Sequence, residues 1–297
     1  QHIATMPAVK SKADSHSQQA MLAVVLAAAF TAGFNQGIMN IALPHVSETY
    51  GVSLSWANWT VVGFTIVAGT AITTAAGLQA RLGLKKLLVG AFALMVVGDL
   101  ISALAVNFWM LIAGRLLQAV QTGIMLPVAT AVIMKVIPAE KHGRWLAADS
   151  GIIAVGMAVG PLTSGFMLTS FGLPAVFYLM AAIGAIMLLL CLKFMHSVEK
   201  RADAPIDALS VLLAFAGLGL TIYALGEIFQ EPISSSIALA AGVGVLGFFV
   251  WRQLRLEHPL LNLSPLAHPR FTFGEVLIML AFVAEISLSV LLPLYFE

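Results

Sequence analysis

Nine apolar runs, each long enough to cross a bilayer, follow one another along this chain with short polar connections. They lie near residues 20–44, 56–78, 85–106, 108–134, 145–169, 174–195, 207–228, 233–253 and 272–295. A membrane helix needs roughly 20 mostly apolar residues to span the hydrocarbon. Inside lipid every backbone N–H and C=O must be bonded within the protein, and runs of this length meet that demand as helices. Composition agrees: 60% of the 297 residues are hydrophobic and 10% are charged, against roughly a quarter charged in an ordinary soluble domain. The expected fold is an all-α membrane protein with nine transmembrane helices.

The placement of Lys and Arg tests that count. Lys10 and Lys12 precede the first run; Arg81, Lys85 and Lys86 follow the second; Lys135, Lys141 and Arg144 follow the fourth. Lys193, Lys200 and Arg201 follow the sixth, and Arg252, Arg255 and Arg270 follow the eighth. These are 14 of the 15 basic residues, all in alternate loops, with Arg115 the fifteenth. Such one-sidedness is the positive-inside pattern, and it predicts a multi-pass protein of the cell (inner) membrane with a cytoplasmic amino terminus. One miscounted span would scatter the charges. They are too thinly spread for nucleic-acid binding, and anionic lipid headgroups of the surrounding bilayer suffice as partners. The first run follows two lysines as a signal peptide would, but it is longer and eight more runs follow, so it reads as a retained span. The single Cys191 lies within the sixth run, where a small buried side chain is expected.

Residues 1–18 are polar and aperiodic and read as a cytoplasmic tail. The charged stretch Met195–Ser210 separates six spans (19–197) from a unit comprising a loop and two spans (198–253). A second long loop and a final span make up 254–297. An odd number of spans, and a chain that starts at Gln1 rather than Met, lead us to expect part of a longer polypeptide.

Four motifs give this order a meaning. Gly77-Leu-Gln-Ala-Arg-Leu-Gly-Leu-Lys-Lys86, between the second and third runs, resembles the GxLADRxGRR signature of the major facilitator superfamily. Gly77, Arg81, Gly83, Lys85 and Lys86 fit, while Ala80 stands where the family has Asp. Arg115-Leu-Leu-Gln-Ala-Val-Gln121 is similar to its RxxQG pattern. Gly156, Gly160, Pro161 and Gly165 match its GxxxGPxxGG antiporter motif, with Ser164 at the first of the paired glycines. Phe34-Asn-Gln-Gly-Ile-Met-Asn-Ile-Ala-Leu-Pro44 looks like the LDxTIVNVALP motif of the fourteen-span drug:proton antiporters, with Asn35 replacing the aspartate. The two extra spans after the sixth point to the same subfamily.

The resemblance implies a major-facilitator helical bundle: a complete N-terminal six-helix bundle, two linker helices and the first helix of an incomplete second bundle. It implies proton-coupled efflux of hydrophobic drugs or other lipophilic molecules by alternating access, with the proton as coupling ion and no other cofactor. Small residues every four positions let helices touch backbone to backbone, and a helical proline frees a carbonyl that needs a neighbour.

Arg115 lies roughly 12 Å inward from Asn107, too deep to snorkel, and Gln118 and Thr122 share its face. Asn35, roughly 13 Å before Pro44, is almost level with it. Gln36, Asn40, Gln118 and Thr122 are expected to border the substrate cavity. An amide does not titrate near neutral pH, so Asn35 cannot carry a proton and a carboxylate elsewhere should face Arg115. Glu285 in the ninth run is preferred for that role over Asp99 in the third, because family topology makes the third helix peripheral. Asp149 is expected to be solvated or helix-capping rather than catalytic. No nucleotide-binding loop, catalytic-nucleophile elbow or metal-spaced cluster occurs, so an enzyme is not expected. An uncoupled metabolite uniporter and a non-transporting membrane sensor or assembly partner remain alternatives.

Overall fold

A computed structural model describes residues 12–39, 41–195, 207–228, 231–257, 259–261, 263–269, 271–277 and 279–280. The helices are α1 (Lys12–Gly37), α2 (Leu43–Tyr50), α3 (Leu54–Leu82), α4 (Leu84–Ala103), α5 (Phe108–Val136), α6 (His142–Phe171), α7 (Leu173–Phe194), α8 (Ala208–Glu227) and α9 (Pro232–Gln253). All but the short α2 are long and apolar enough to cross a membrane, giving eight spans among the described residues. Residues 271–277 are helical again, at the start of the expected ninth run, most of which lies outside the described residues.

Local chemistry sets the ends. The side chains of Ser53 and Asn107 accept hydrogen bonds from the backbone N–H groups of Trp56 and Met110, capping α3 and α5. Gly83 (φ 77°) and Gly172 (φ 81°) each turn the chain in a single residue, joining α3 to α4 and α6 to α7. Only glycine adopts that backbone without strain.

The first run departs from expectation. Its helix stops at Gly37, and Pro44 does not close it; Pro44 sits in the first turn of α2, where a missing N–H is harmless. α1 also begins at Lys12, within the expected tail, although its apolar part starts at Gln18.

The interior is organised around α5, which packs against α1, α3 and α4, while α4 also packs on α7 and α1 on α6. α1 and α6 run in the same direction and meet through glycines spaced by four on both helices. A Cβ on Gly33 or Gly37 would overlap the carbonyl oxygens of Ile153 and Met157. A Cβ on Gly156 would come within 2.5 Å of the Phe30 carbonyl oxygen, and one on Gly160 within 3.0 Å of the Gly37 backbone. The Met157 carbonyl is the one that Pro161 leaves without its intrahelical donor, and it is turned onto Gly37. The antiporter-like motif of α6 and the end of α1 are thus one packed joint. Gly165 is not part of it, for open space surrounds its Cα.

α8 and α9 pair with each other and lie against α3. Their ends on the basic side are tied by Arg252, which donates to both carboxylate oxygens of Asp207 at 2.8 and 3.1 Å. Gln253 donates to Ser210 and accepts from the N–H groups of Leu260 and Leu261, so the following loop is held as well. The Arg252 hydrogen bond is the main reason that Asp207 is pulled down to about 2. Because the folded value lies below the unfolded one, this tie stabilises fully above pH ~4 and is lost as pH falls towards 2. The Asp207→Asn variant should unfold at a lower temperature than the parent at pH 7, and thermal scans in detergent should show the two converging between about pH 4 and 2.

Candidate functional site

Arg115 is the largest fully buried side chain of the described residues, 1% exposed in the first third of α5. Two glycines put it there. Gly114 of α5 and Gly98 of α4 cross so closely that a Cβ on Gly98 would lie 2.6 Å from the Gly114 carbonyl oxygen, and one on Gly114 would overlap the Ser102 hydroxyl. Further along α5, Gly123 abuts the backbone of Ala68 in α3. With no Cβ at the crossings, three helices approach to backbone contact and their polar side chains meet.

The guanidinium is held from three sides. Its Nη1 donates to Asn35 Oδ1 of α1 at 2.8 Å and to Gln118 Oε1 one turn along α5 at 2.5 Å. Gln118 Nε2 donates in turn to Ser102 Oγ of α4 at 3.1 Å. Phe64 of α3 lies beneath the guanidinium carbon, 4.3 Å from ring centroid to Cζ, a cation–π geometry. Thr122 is buried one turn on and donates to Gln121 Oε1 at 3.4 Å. Among the described residues, every hydrogen-bond acceptor of Arg115 is therefore neutral.

Asp99 is fully buried on α4, three residues before Ser102 on the same face, and its charge interacts with that of Arg115. Neither of its carboxylate oxygens has a hydrogen-bond partner among the described residues. α4 has an exposed outer face, with Leu94, Val97 and Leu100 on it, while the Gly98–Gly114 crossing turns Asp99 inward. Asn35 Nδ2, Arg115 Nε and Gln121 Nε2 are also buried without partners.

The other expected residues fall in different places. Gln36 is exposed beside the buried Asn35, and Asn40 and Glu285 lie outside the described residues. Arg81 and Lys86 are exposed at the α3–α4 junction and Lys85 is half-buried. Gly83 forms that junction, whereas Gly77 faces the loop after α9, where a Cβ would sit 3.3 Å from the Leu260 side chain. Asp149 is buried, 5% exposed, rather than solvated. Residues whose sequence gave no warning are Phe64, Ser102, Gly98 and Gly114; the one available signal was the four-residue spacing of Gly98 and Ser102.

Beside Leu116, one residue from Arg115, an apolar cavity of about 380 Å³ opens between α3, α5 and α8. Trp56, Trp59, Trp109 and Phe215 form its walls. Trp56 packs edge-on against Trp109, and Trp59 stacks on Tyr223 of α8.

Comparison with known proteins fits this geometry. A family model described as Major Facilitator Superfamily matches residues 25–297. The "Lincomycin resistance protein LmrB" of Listeria monocytogenes is 30% identical over 280 residues, 93% of this chain and 59% of that protein. The "Multidrug export protein EmrB" of Haemophilus influenzae is 25% identical over 276 residues, 91% of this chain and 54% of that protein. The chain thus spans less than two thirds of the length of these curated relatives. Among solved structures, the crystal structure of a D-xylose–proton symporter superposes with a TM-score of 0.51 over 76% of this chain and 65% of the other, at 15% identity. That likeness concerns the fold.

Proposed function

The chain belongs to the major facilitator superfamily, and from that premise we propose that it is the amino-terminal part of an exporter that expels hydrophobic small molecules in exchange for protons. The observation that carries this reading is the Arg115 cluster: a buried cation bonded, among the described residues, only to neutral groups at the meeting point of α1, α4 and α5. Such a group is costly in a span unless the cycle uses it. The relatives named for lincomycin resistance and multidrug export supply the substrate class. The aromatic cavity beside Leu116 agrees with it, since about 380 Å³ of wholly apolar wall suits a small lipophilic ligand.

In this reading residues 19–197 form the first bundle, 198–253 the linker pair, and 254–297 lead into a second bundle. Transport by rocking two bundles about a midplane site needs both. The basic side faces the cytoplasm and the protein sits in the cell (inner) membrane with its amino terminus inside.

The test is proton flux from vesicles holding the full-length protein, with lincomycin and a lipophilic cation as probes. Probe-dependent proton movement that follows an imposed pH gradient is the expected result. Probe transport with no proton movement would leave the uniporter reading, which the non-titrating Asn35 favours. Absence of both transport and binding would leave the sensor reading.

A further inference from the structure

We infer that Asp99 is the proton-carrying group of this protein, and that its protonation decides which helix Arg115 holds. The inference rests on the proton-coupled reading above but names a residue of its own. Asp99 is wholly buried, both its oxygens lack partners among the described residues, and it forms no ion pair with the nearby Arg115. Arg115 is instead bonded to Asn35 on α1. An ionised carboxyl without a partner is among the costliest groups to bury, and a proton removes that cost.

Among the described residues, Arg115 is its one charged neighbour. From α5 only Arg115 faces it. α7 meets α4 where Gly184 touches Met95 and Val96, and its buried titratable group, Cys191, is two turns further towards the basic side. α3 brings only Arg81, at its basic end. Tyr50 donates to the Ala105 carbonyl beyond the end of α4. Asn35 on α1 is neutral at every relevant pH.

Two arrangements follow. With Asp99 protonated, Arg115 bonds to Asn35 and fastens α5 to α1, as in this structure. When Asp99 releases its proton to solvent on one side of the membrane, the carboxylate draws the guanidinium onto α4, and Asn35 lets go. Uptake of a proton from the other side reverses the exchange. The bond lost between α5 and α1 matters because α1 is also one half of the glycine joint with α6. A proton on α4 thereby controls the grip on the α1–α6 pair.

Difference infrared spectroscopy of the purified 297-residue chain in lipid nanodiscs tests this without requiring transport. Lowering the pH should bring up a carbonyl-stretch band of a protonated carboxyl, absent in Asp99→Asn, displaced in Asp99→Glu and unchanged in Glu285→Gln. A band that persists in Asp99→Asn, or one that never titrates in the parent, would overturn the inference. Amide bands that match the parent show that the variants are folded. In the full-length protein, pH-driven export should be lost in Asp99→Asn and retained in Asp99→Glu. If the parent exports without proton movement, the coupled reading fails while the infrared result still decides whether Asp99 binds the proton.

Discussion

Replacing Gly156 with leucine is expected to unfasten α1 from α6, lowering the thermal midpoint in detergent and stopping export by the full-length protein. The new side chain would meet the Phe30 carbonyl oxygen and the Phe34 nitrogen. Backbone cannot swing aside as a side chain can, so α1 must move. Overpacking in a tight interior costs about 1–3 kcal/mol, and contact with backbone puts this case at the upper end. Gly165→Leu supplies the control, because that glycine of the same motif has nothing within 4 Å. Equal melting of the two variants would show that the glycine joint contributes nothing to the fold. The comparison also separates packing from membrane insertion, since both substitutions make the sequence more apolar.

The contrast between Gly156 and Gly165 shows what a sequence motif can and cannot say. The spacing announced close helix contact, but of the partner glycines Gly37 belonged to a different motif and Gly33 to none. Their role became visible only when α1 was laid against the carbonyls of Ile153 and Met157. The spans themselves were legible because each needs about 20 apolar residues and because charge is confined to alternate loops. The break in the first run was not, since Ile38 to Leu43 is nearly as apolar as what precedes it. Pro44 looked like the end of one helix and is the beginning of another.

Depth along a helix was similarly informative within limits. Asn35 and Arg115 were expected at one level, and they are bonded at 2.8 Å. The two meet although the count back from Pro44 crossed the break after Gly37, where the chain is no longer one helix. What depth could not supply was the azimuth, the direction in which α4 presents its side chains. Asp99 and Ser102 share the face that contains Gly98, and the place of that face against α5 is decided by two glycines from different helices. An isolated glycine in a membrane span is too common to have signalled this by itself.

Arg115→Ala is expected to have the widest effect of any polar substitution, because the side chain ties α5 to α1 and α3 directly and to α4 through Gln118. Its removal leaves Asn35 Oδ1 and Gln118 Oε1 buried without donors, at about 1–3 kcal/mol each. It also removes the cation above Phe64, worth roughly 0.5–2 kcal/mol. Gln118 loses the bond that orients its amide towards Ser102, so the α4–α5 contact loosens as well. The thermal midpoint should fall and pH-driven export should stop. Arg115→Lys divides these effects. It keeps a cation with three donors but not the planar fork that reaches Asn35 and Gln118 while lying flat on Phe64. Lysine should therefore recover part of the stability, and coupled export should remain impaired. A midpoint and export rate in Arg115→Ala equal to the parent's would mean that the side chain serves only to reach the membrane surface, which its 1% exposure argues against.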